Sequence, residues 1–144
     1  MTVSQISVFI ENKAGKMAEF AHVLQGHGID MKALSVAEGE KYGIARIIVD
    51  DVYNTSTVLK DAGYVFKITP VLAVPLRDSS GGLAEVLEVL GNNDINVEYL
   101  YAFVARQQDK AYVIFRVANN EHAIQVLCEN GYTPVSQDEL KLDK

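Results

Sequence analysis

The strongest constraint on this 144-residue chain is that its second half repeats the pattern of its first half. Residues 58–64 return as residues 126–132, and residues 15–19 return as residues 81–85, at spacings of 68 and 66 positions. Because both landmarks recur in the same order, one supersecondary pattern is written twice with a small insertion between the landmarks. A repeat of this length fits one small α+β domain, so we predict two similar modules.

Each copy is predicted to contain strand, helix, strand, strand, helix, strand. The strands are expected at residues 5–10, 31–36, 42–49 and 64–68, and again at 71–76, 97–104, 111–117 and 132–136. First helices begin at Met17 and Leu83, and second helices span about 54–62 and 120–130. This order is that of the ferredoxin-like fold, in which two helices cover one face of a four-stranded antiparallel sheet.

The predicted fold class is therefore α+β, with two ferredoxin-like βαββαβ modules at residues 1–69 and 70–144. Pro70 is taken to punctuate the junction between them. A module of about 70 residues leaves edge strands unpaired and buries little surface, so we expect the two modules to pack together. The pattern does not distinguish side-by-side from face-to-face packing.

Charge and composition argue against several classes of function. The chain has 13 Lys and Arg against 19 Asp and Glu, a formal net charge of −6, whereas nucleic-acid binding requires a basic face. No apolar run approaches the roughly 18 residues of a membrane-spanning helix, and no signal-peptide pattern opens the sequence. We therefore expect a cytoplasmic protein that binds neither nucleic acid nor membrane.

The sequence carries no recognisable catalytic or metal-binding signature. Its single cysteine, Cys128, rules out an intramolecular disulfide and falls in an amphipathic helical pattern, which predicts a buried apolar role. No Cys/His cluster has metal-ligand spacing, and no Ser/His/Asp set, P-loop or dinucleotide fingerprint occurs. We expect no catalytic residue, no metal and no cofactor.

The loop after the first strand of each copy is the candidate binding site. It leads into a helix N-terminus, where free N–H groups and the helix dipole favour an anion such as a carboxylate. Gly15, Gly81 and Gly82 allow close approach to the backbone, and Asn12 and Asp78 offer oxygens to an ammonium group. The same residue types are typical of turns and helix caps, so a purely local role is equally compatible with the pattern.

The whole chain resembles the tandem ACT-domain proteins, small regulatory modules that bind amino acids. The resemblance rests on the loop motifs at residues 12–17 and 78–84, which stand in register in the two copies. It also rests on residues 93–103, which are similar to the second-strand signature of members that consist of two such domains. The resemblance implies that a free L-amino acid lies between two modules, held by the first loop of one and the start of the second strand of the other.

By position, the resemblance assigns ligand binding to fourteen residues: Asn12, Lys13, Ala14, Gly15, Lys16, Met17, Asp30, Asp78, Ser79, Ser80, Gly81, Gly82, Leu83 and Asn96. Two departures concern the loops. Ala14 and Ser80 stand where the family loop often has proline, and Lys13 and Lys16 mark the first copy as the more degenerate one. Ligand identity and the number of occupied sites stay open.

The resulting hypothesis is a non-catalytic amino-acid-binding regulatory protein, forming a homodimer and signalling to a metabolic enzyme or another regulator. Two alternatives are kept. One is a small acylphosphatase-like hydrolase, which finds support only in Arg77 beside residues 78–81. The other is a regulatory subunit of a metabolic enzyme that has no ligand of its own.

Overall fold

A computed structural model describes residues 1–77, 81–103 and 110–142. The chain divides into two compact units. The N-terminal unit is Ser4–Thr69, and the C-terminal unit is Pro70–Lys144 together with Met1–Val3. Each unit has its own apolar core between a sheet and helices.

The N-terminal unit follows the predicted order of elements. It contains β1 (Val3–Glu11), α1 (Lys16–Gly26), β2 (Met31–Ala37), β3 (Tyr42–Val49), α2 (Val52–Asp61) and the first part of β4 (Val65–Pro75). The strand order is β2-β3-β1-β4, and β3 is antiparallel to both β1 and β2. Alternate residues of β1 and β3 face α1 and α2 because side chains alternate along a strand. The core consists of Ile6, Val8, Ile10, Phe20, Leu24, Ala45, Ile47, Val49 and Leu59.

The C-terminal unit repeats this arrangement except for the closing strand. It contains the rest of β4, then α3 (Gly82–Asn92), β5 (Tyr99–Ala102), β6 (Tyr112–Arg116), α4 (Asn120–Glu129) and α5 (Gln137–Leu142). The strand order is β4-β6-β5, with antiparallel pairing throughout. Its core consists of Leu72, Val74, Val86, Leu90, Val113, Phe115, Val117, Ala123, Leu127 and Tyr132. The predicted α+β, ferredoxin-like fold class is confirmed.

The predicted closing strand at residues 132–136 is wrong. The segment makes a backbone hydrogen bond from the Val135 N–H to the Ala73 carbonyl at 2.9 Å, but it is not a strand. Pro134 lies in its middle and has no N–H to donate, so a regular ladder is interrupted there. Helix α5 follows instead, and at its start Glu139 Oε1 accepts hydrogen bonds from the Ser136 N–H at 3.2 Å and from the Ser136 hydroxyl at 3.1 Å.

The strands predicted at residues 64–68 and 71–76 form one strand, although the division between the two compact units falls at Pro70. Strand β4 runs without a break from Val65 to Pro75, so the residue lies within a strand. The Pro70 carbonyl accepts a hydrogen bond from Asn120 Nδ2 at 3.1 Å, which ties the start of α4 to this point of β4. A missing N–H is tolerated where the ladder does not need it.

Cys128 is exposed rather than buried. The buried side of α4 is formed by Ala123, Val126 and Leu127, and Cys128 turns away from it. Its Sγ lies 3.8 Å from Met1 Sδ. The amphipathic pattern correctly predicted the helix but placed this side chain on the wrong face.

Candidate functional site

The loop from β1 into α1 begins the helix without a side-chain cap. Gly15 is the N-cap residue and has φ 87°, in the left-handed region that favours glycine. Its carbonyl accepts from the Glu19 N–H at 3.0 Å, but it has no side-chain oxygen to offer the first turn. A helix start of this kind suits an external anion because the N-terminal N–H groups and the dipole attract negative charge.

Asn12 has a structural role in this loop. Its Nδ2 donates to the Gly39 carbonyl at 2.8 Å, and its N–H donates to the Lys41 carbonyl at 2.9 Å. These bonds tie the end of β1 to the turn between β2 and β3. The Nδ2 group thus makes a local contact of the kind expected in a turn, and the ligand-binding role of the Asn12 oxygen stays a prediction.

Four charged side chains form an ion-pair cluster at the end of β1 and the start of α1. Glu11 lies 3.1 Å from Lys13 Nζ and 3.8 Å from Lys16 Nζ, and Lys16 Nζ lies 3.4 Å from Glu19 Oε2. The hydrogen bond from Lys13 and its positive charge lower the pKa of the Glu11 carboxyl. Lys13 and Glu19 are well exposed and Glu11 and Lys16 are partly exposed, so the pairs set local charge more than they add stability.

A cleft in the N-terminal unit, called here the N-terminal cleft, begins beside this cluster. It has a volume of about 780 Å³, within the range of roughly 300–1,000 Å³ common for small-molecule sites. Its lining consists of Phe9, Ile10, Glu11, Lys16, Glu19, Val23, Tyr42, Ile44, Ala62, Gly63, Tyr64 and Val65. Most of this wall is apolar, and the carboxylates and the ammonium of Lys16 stand on its polar side.

The apolar wall includes side chains that are unusually exposed for their type. Phe9 is 41% exposed and Val65 is 68% exposed. The ring of Tyr64 is held by an edge-to-face contact with Phe20, with centroids 5.6 Å apart. Burial raises the pKa of the Tyr64 phenol, with a smaller contribution from the charge of Glu19. An apolar group of a ligand could bury this exposed apolar surface, which would favour binding.

The predicted N-terminal residues are only partly brought together. Lys16 lines the N-terminal cleft, and Lys13 reaches it through Glu11. Ala14, Gly15 and Met17 are exposed beside it without lining it.

Asp30 lies at the other end of the N-terminal unit. It precedes Met31, which pairs with Val49 at one end of β3, whereas Glu11 pairs with Tyr42 at the other end. That separation is roughly 23 Å at about 3.3 Å per residue. Asp30 is therefore too far away to contact a site at the loop of its own unit. It could contribute only to a site on another module.

The corresponding loop of the C-terminal unit is described only in part. Asp78, Ser79 and Ser80 lie outside the described residues. Gly82 is buried, and a Cβ there would meet the Arg77 carbonyl at 2.7 Å, so this position requires glycine. Gly81 has φ −93° and open space around it.

The remaining two predicted residues of the C-terminal unit lie apart from each other. Leu83 packs against the core. Asn96 precedes Tyr99, which pairs with Arg116 at the far end of β6, so Asn96 does not meet the loop within the unit.

A smaller pocket, called here the C-terminal pocket, lies beside this loop and has a volume of about 290 Å³. It is lined by Arg77, Glu85, Glu88, Val89, Asn92, Asn130 and Tyr132. Arg77 Nη1 lies 3.3 Å from Glu85 Oε2, and its guanidinium lies 4.6 Å from the centre of the Tyr132 ring. The Tyr132 hydroxyl donates to the same Glu85 oxygen at 2.7 Å. Burial, followed by this bond, raises the pKa of Tyr132.

Sequence analysis missed Glu19 and Tyr64 as cleft residues, although both carried a signal. Each belongs to a segment that returns in the second copy, Glu19 as Glu85 and Tyr64 as Tyr132. The repeated Gly-Tyr pair was used to find the repeat and not as a site. A polar residue repeated in register beside a pocket is worth testing as a site residue.

Two other classes of site are absent from the part of the chain that the structure describes. Among residues 1–77, 81–103 and 110–142, no group of three or more His, Cys, Asp or Glu residues could hold a metal ion. Within the same ranges, every helix is too short or too polar to cross a bilayer.

Comparisons with known proteins place the chain in a family. The ACT domain pair family matches residues 1–142. A search of proteins with curated descriptions gave no match.

Several solved structures are similar to the chain. Protein BT0572 from Bacteroides thetaiotaomicron is 34% identical over 97% of this chain and 96% of that chain, with a TM-score of 0.87. The ligand-free regulatory subunit of aspartate kinase from Thermus thermophilus is 16% identical over 89% and 91%, with a TM-score of 0.60. The same subunit from Thermus flavus is 15% identical over 90% and 92%, with a TM-score of 0.54. The last two show likeness of fold alone. The family match over almost the whole length decides the matter, and the chain belongs to the ACT domain pair family.

Proposed function

We propose that this protein is a non-catalytic regulator that binds a free L-amino acid in the N-terminal cleft. The observation that carries the proposal is the composition of that cleft, in which an apolar wall ends at groups of both charges beside an uncapped helix start. A zwitterion with an apolar side chain presents the complementary groups. Opposed charges and apolar surface in one concave site are typical of small-molecule recognition.

Each part of the ligand has a partner in this arrangement. The carboxylate would lie near Lys16 Nζ and the N–H groups of the first turn of α1, where a charge-assisted hydrogen bond is strongest. The ammonium group would lie near Glu11 and Glu19, whose carboxylates already hold lysine ammonium groups. An apolar side chain would pack on Phe9 and Val65. We expect the leucine and phenylalanine class of ligand.

The N-terminal copy is thus favoured as the site, although its lysines marked it from sequence as the more degenerate copy. Lys16 does not spoil the site because its charge is the one that a carboxylate requires. Asp30 and Asn96 remain candidates for contacts supplied by another module.

The regulatory part of the proposal draws on the aspartate kinase subunits, which share the fold and are named for regulation. Ligand binding regulates only through a difference in affinity between two arrangements of the protein. We propose that the protein regulated by this chain is a separate metabolic enzyme or regulator. We also propose that the chain forms a homodimer. An unpaired strand edge such as β2, which ends the strand order of the N-terminal unit, is a usual route to self-association.

The acylphosphatase-like alternative is weakened by the position of Arg77. That guanidinium is paired with Glu85 and lies over Tyr132, so its charge is committed within the C-terminal pocket. Assay of acyl phosphate hydrolysis by the pure protein tests this alternative directly.

The test of amino-acid binding is a thermal-shift screen of the twenty amino acids, followed by calorimetry. A ligand at about 100 times its Kd adds about 2.7 kcal/mol to stability, which gives a readily measured rise in Tm. Leucine or phenylalanine should give the largest rise. If none of the twenty raises Tm, the ligand-free regulatory subunit is the better account.

A pair of lysine variants locates the site. Lys16→Met keeps the length of the side chain but removes the charge from the N-terminal cleft, and we expect at least a tenfold loss of affinity. Lys13→Met removes a charge from the same loop at a residue that does not itself line the cleft and contacts it only through Glu11, so its loss of affinity should be much smaller than that of Lys16→Met. Equal losses in the two variants would show that general loop charge, and not Lys16, binds the ligand.

A further inference from the structure

The two pockets occupy corresponding places in the repeat. Glu19, Val23, Gly63 and Tyr64 line the N-terminal cleft. Their counterparts, at the same 66- and 68-position spacings, are Glu85, Val89, Gly131 and Tyr132, which surround the C-terminal pocket or its Arg77 side chain.

The two pockets therefore share a frame of four corresponding residues, and they differ in the side chain that lies over this frame. In the C-terminal pocket the cover is Arg77. Its guanidinium lies 4.6 Å above the Tyr132 ring and pairs with Glu85, and its Nη2 would lie 3.1 Å from a Cβ placed on Gly131. A cation stacked on an aromatic face beside a carboxylate is a favourable binding arrangement.

In the N-terminal unit the position of Arg77 is taken by Glu11. A carboxylate there cannot pair with Glu19 because like charges repel, and Glu11 instead holds Lys13 and Lys16. Lys16 supplies the cation for Glu19 from the start of α1. The C-terminal unit cannot place a lysine at the corresponding position. That position is Gly82, where a Cβ would lie too close to the Arg77 carbonyl.

We infer that Arg77 acts as a built-in occupant of the C-terminal pocket, so that, of these two corresponding pockets in the described residues, the N-terminal cleft is the one open to a ligand. Removing the Arg77 side chain should vacate a second site of the same kind, with Glu85 and Glu88 free to hold a cationic group. The inference deepens the proposed function and rests on it for the nature of the natural ligand.

The test compares Arg77→Ala with Arg77→Met. Both remove the ion pair with Glu85, but methionine keeps a side chain long enough to lie over Tyr132 and alanine does not. The Arg77 side chain is 57% exposed, so neither variant should disturb the core. Circular dichroism checks that both are folded.

The first measurement uses ethylguanidinium, a soluble fragment of the arginine side chain, in titrations followed by amide NMR shifts. We expect saturable shifts at Glu85 and Tyr132 in Arg77→Ala, with at least fivefold weaker binding to wild type and to Arg77→Met. Equal responses from the two variants would overturn the inference. This arm does not depend on the natural ligand.

The second measurement is calorimetry with L-leucine and L-phenylalanine. Wild type and Arg77→Met should bind about one molecule per chain, and Arg77→Ala about two. A wild-type stoichiometry of two would overturn the inference. If neither amino acid binds any of the three proteins, the proposed function fails, and the ethylguanidinium titration alone decides whether Arg77 occupies the pocket.

Discussion

The N-terminal cleft and the C-terminal pocket are built on the same frame but differ in volume, about 780 Å³ against about 290 Å³. Both keep a glutamate on the first helix and a tyrosine after a glycine at the end of the second helix. The cation that pairs with the glutamate comes from the helix start in one copy and from the strand end in the other. The position that supplies the pairing cation therefore differs between two pockets of unequal volume.

The largest expected effect concerns Phe20, which contacts the Tyr64 ring, and its counterpart in the second copy. Phe20 in the N-terminal unit corresponds to Val86 in the C-terminal unit, and both are fully buried. Phe20→Ala should lower the free energy of unfolding by about 3–5 kcal/mol and release the Tyr64 ring. Val86→Ala removes fewer atoms and should cost less. Urea unfolding measures both, and equal costs would contradict the view that the aromatic contact distinguishes the two cores.

The next effect concerns the glycines that begin α3. Gly82→Ala places a Cβ 2.7 Å from the Arg77 carbonyl, so the backbone must move, at a cost of about 1–3 kcal/mol. Gly81→Ala is the control, because nothing lies within 4 Å of its Cβ position and its φ is negative. It should cost less than about 1 kcal/mol. A Gly82→Ala variant as stable as the control would mean that close packing of residue 82 does not fix the backbone at the Arg77 carbonyl.

The smallest effect concerns the hydroxyl of Tyr132. Tyr132→Phe removes the hydrogen bond to Glu85 and should cost about 0.5–1.5 kcal/mol near neutral pH, measured by urea unfolding. The folded-state pKa of Tyr132 is raised above its ordinary value of 10.0. Its contribution is thus complete below pH 10 and is lost as pH rises toward the folded-state pKa.

The pH dependence gives this last comparison a second readout. Between about pH 9 and pH 11, the stability of Tyr132→Phe should fall less steeply than that of wild type. Tyr64→Phe serves as the matched variant in the other unit, where the raised pKa also comes first from burial. If Tyr132→Phe and wild type lose stability in parallel, the hydrogen bond is not coupled to ionisation.

Much of the fold was readable because glycines and apolar periodicity mark the ends and faces of elements. Gly63 and Gly131, both with φ 85°, end the second helices as the pattern predicts. The strand predicted at residues 132–136 is absent because Pro134 interrupts the ladder, although the symmetry of the repeat favours a strand there. The capping pattern formed by Ser136 and Glu139 indicated a helix that sequence analysis did not assign.

The candidate site was less readable for a physical reason. Periodicity tells which face of a strand a residue occupies but not whether another element covers it, so exposed Phe9 and Val65 could not be recognised as a wall. The loop motif includes Lys16, which lines the N-terminal cleft, and its role in ligand binding stays a prediction. The position of Arg77 over Tyr132 depends on side-chain geometry between residues 55 positions apart, which no local pattern specifies.

One carboxylate oxygen of Glu85 accepts both from the Arg77 guanidinium and from the Tyr132 hydroxyl. It therefore fastens together the end of β4, the first turns of α3 and the segment after α4. None of these stretches can open alone without giving up a bond at that atom. Amide hydrogen exchange at the three places should consequently proceed as a single cooperative event rather than as independent fraying.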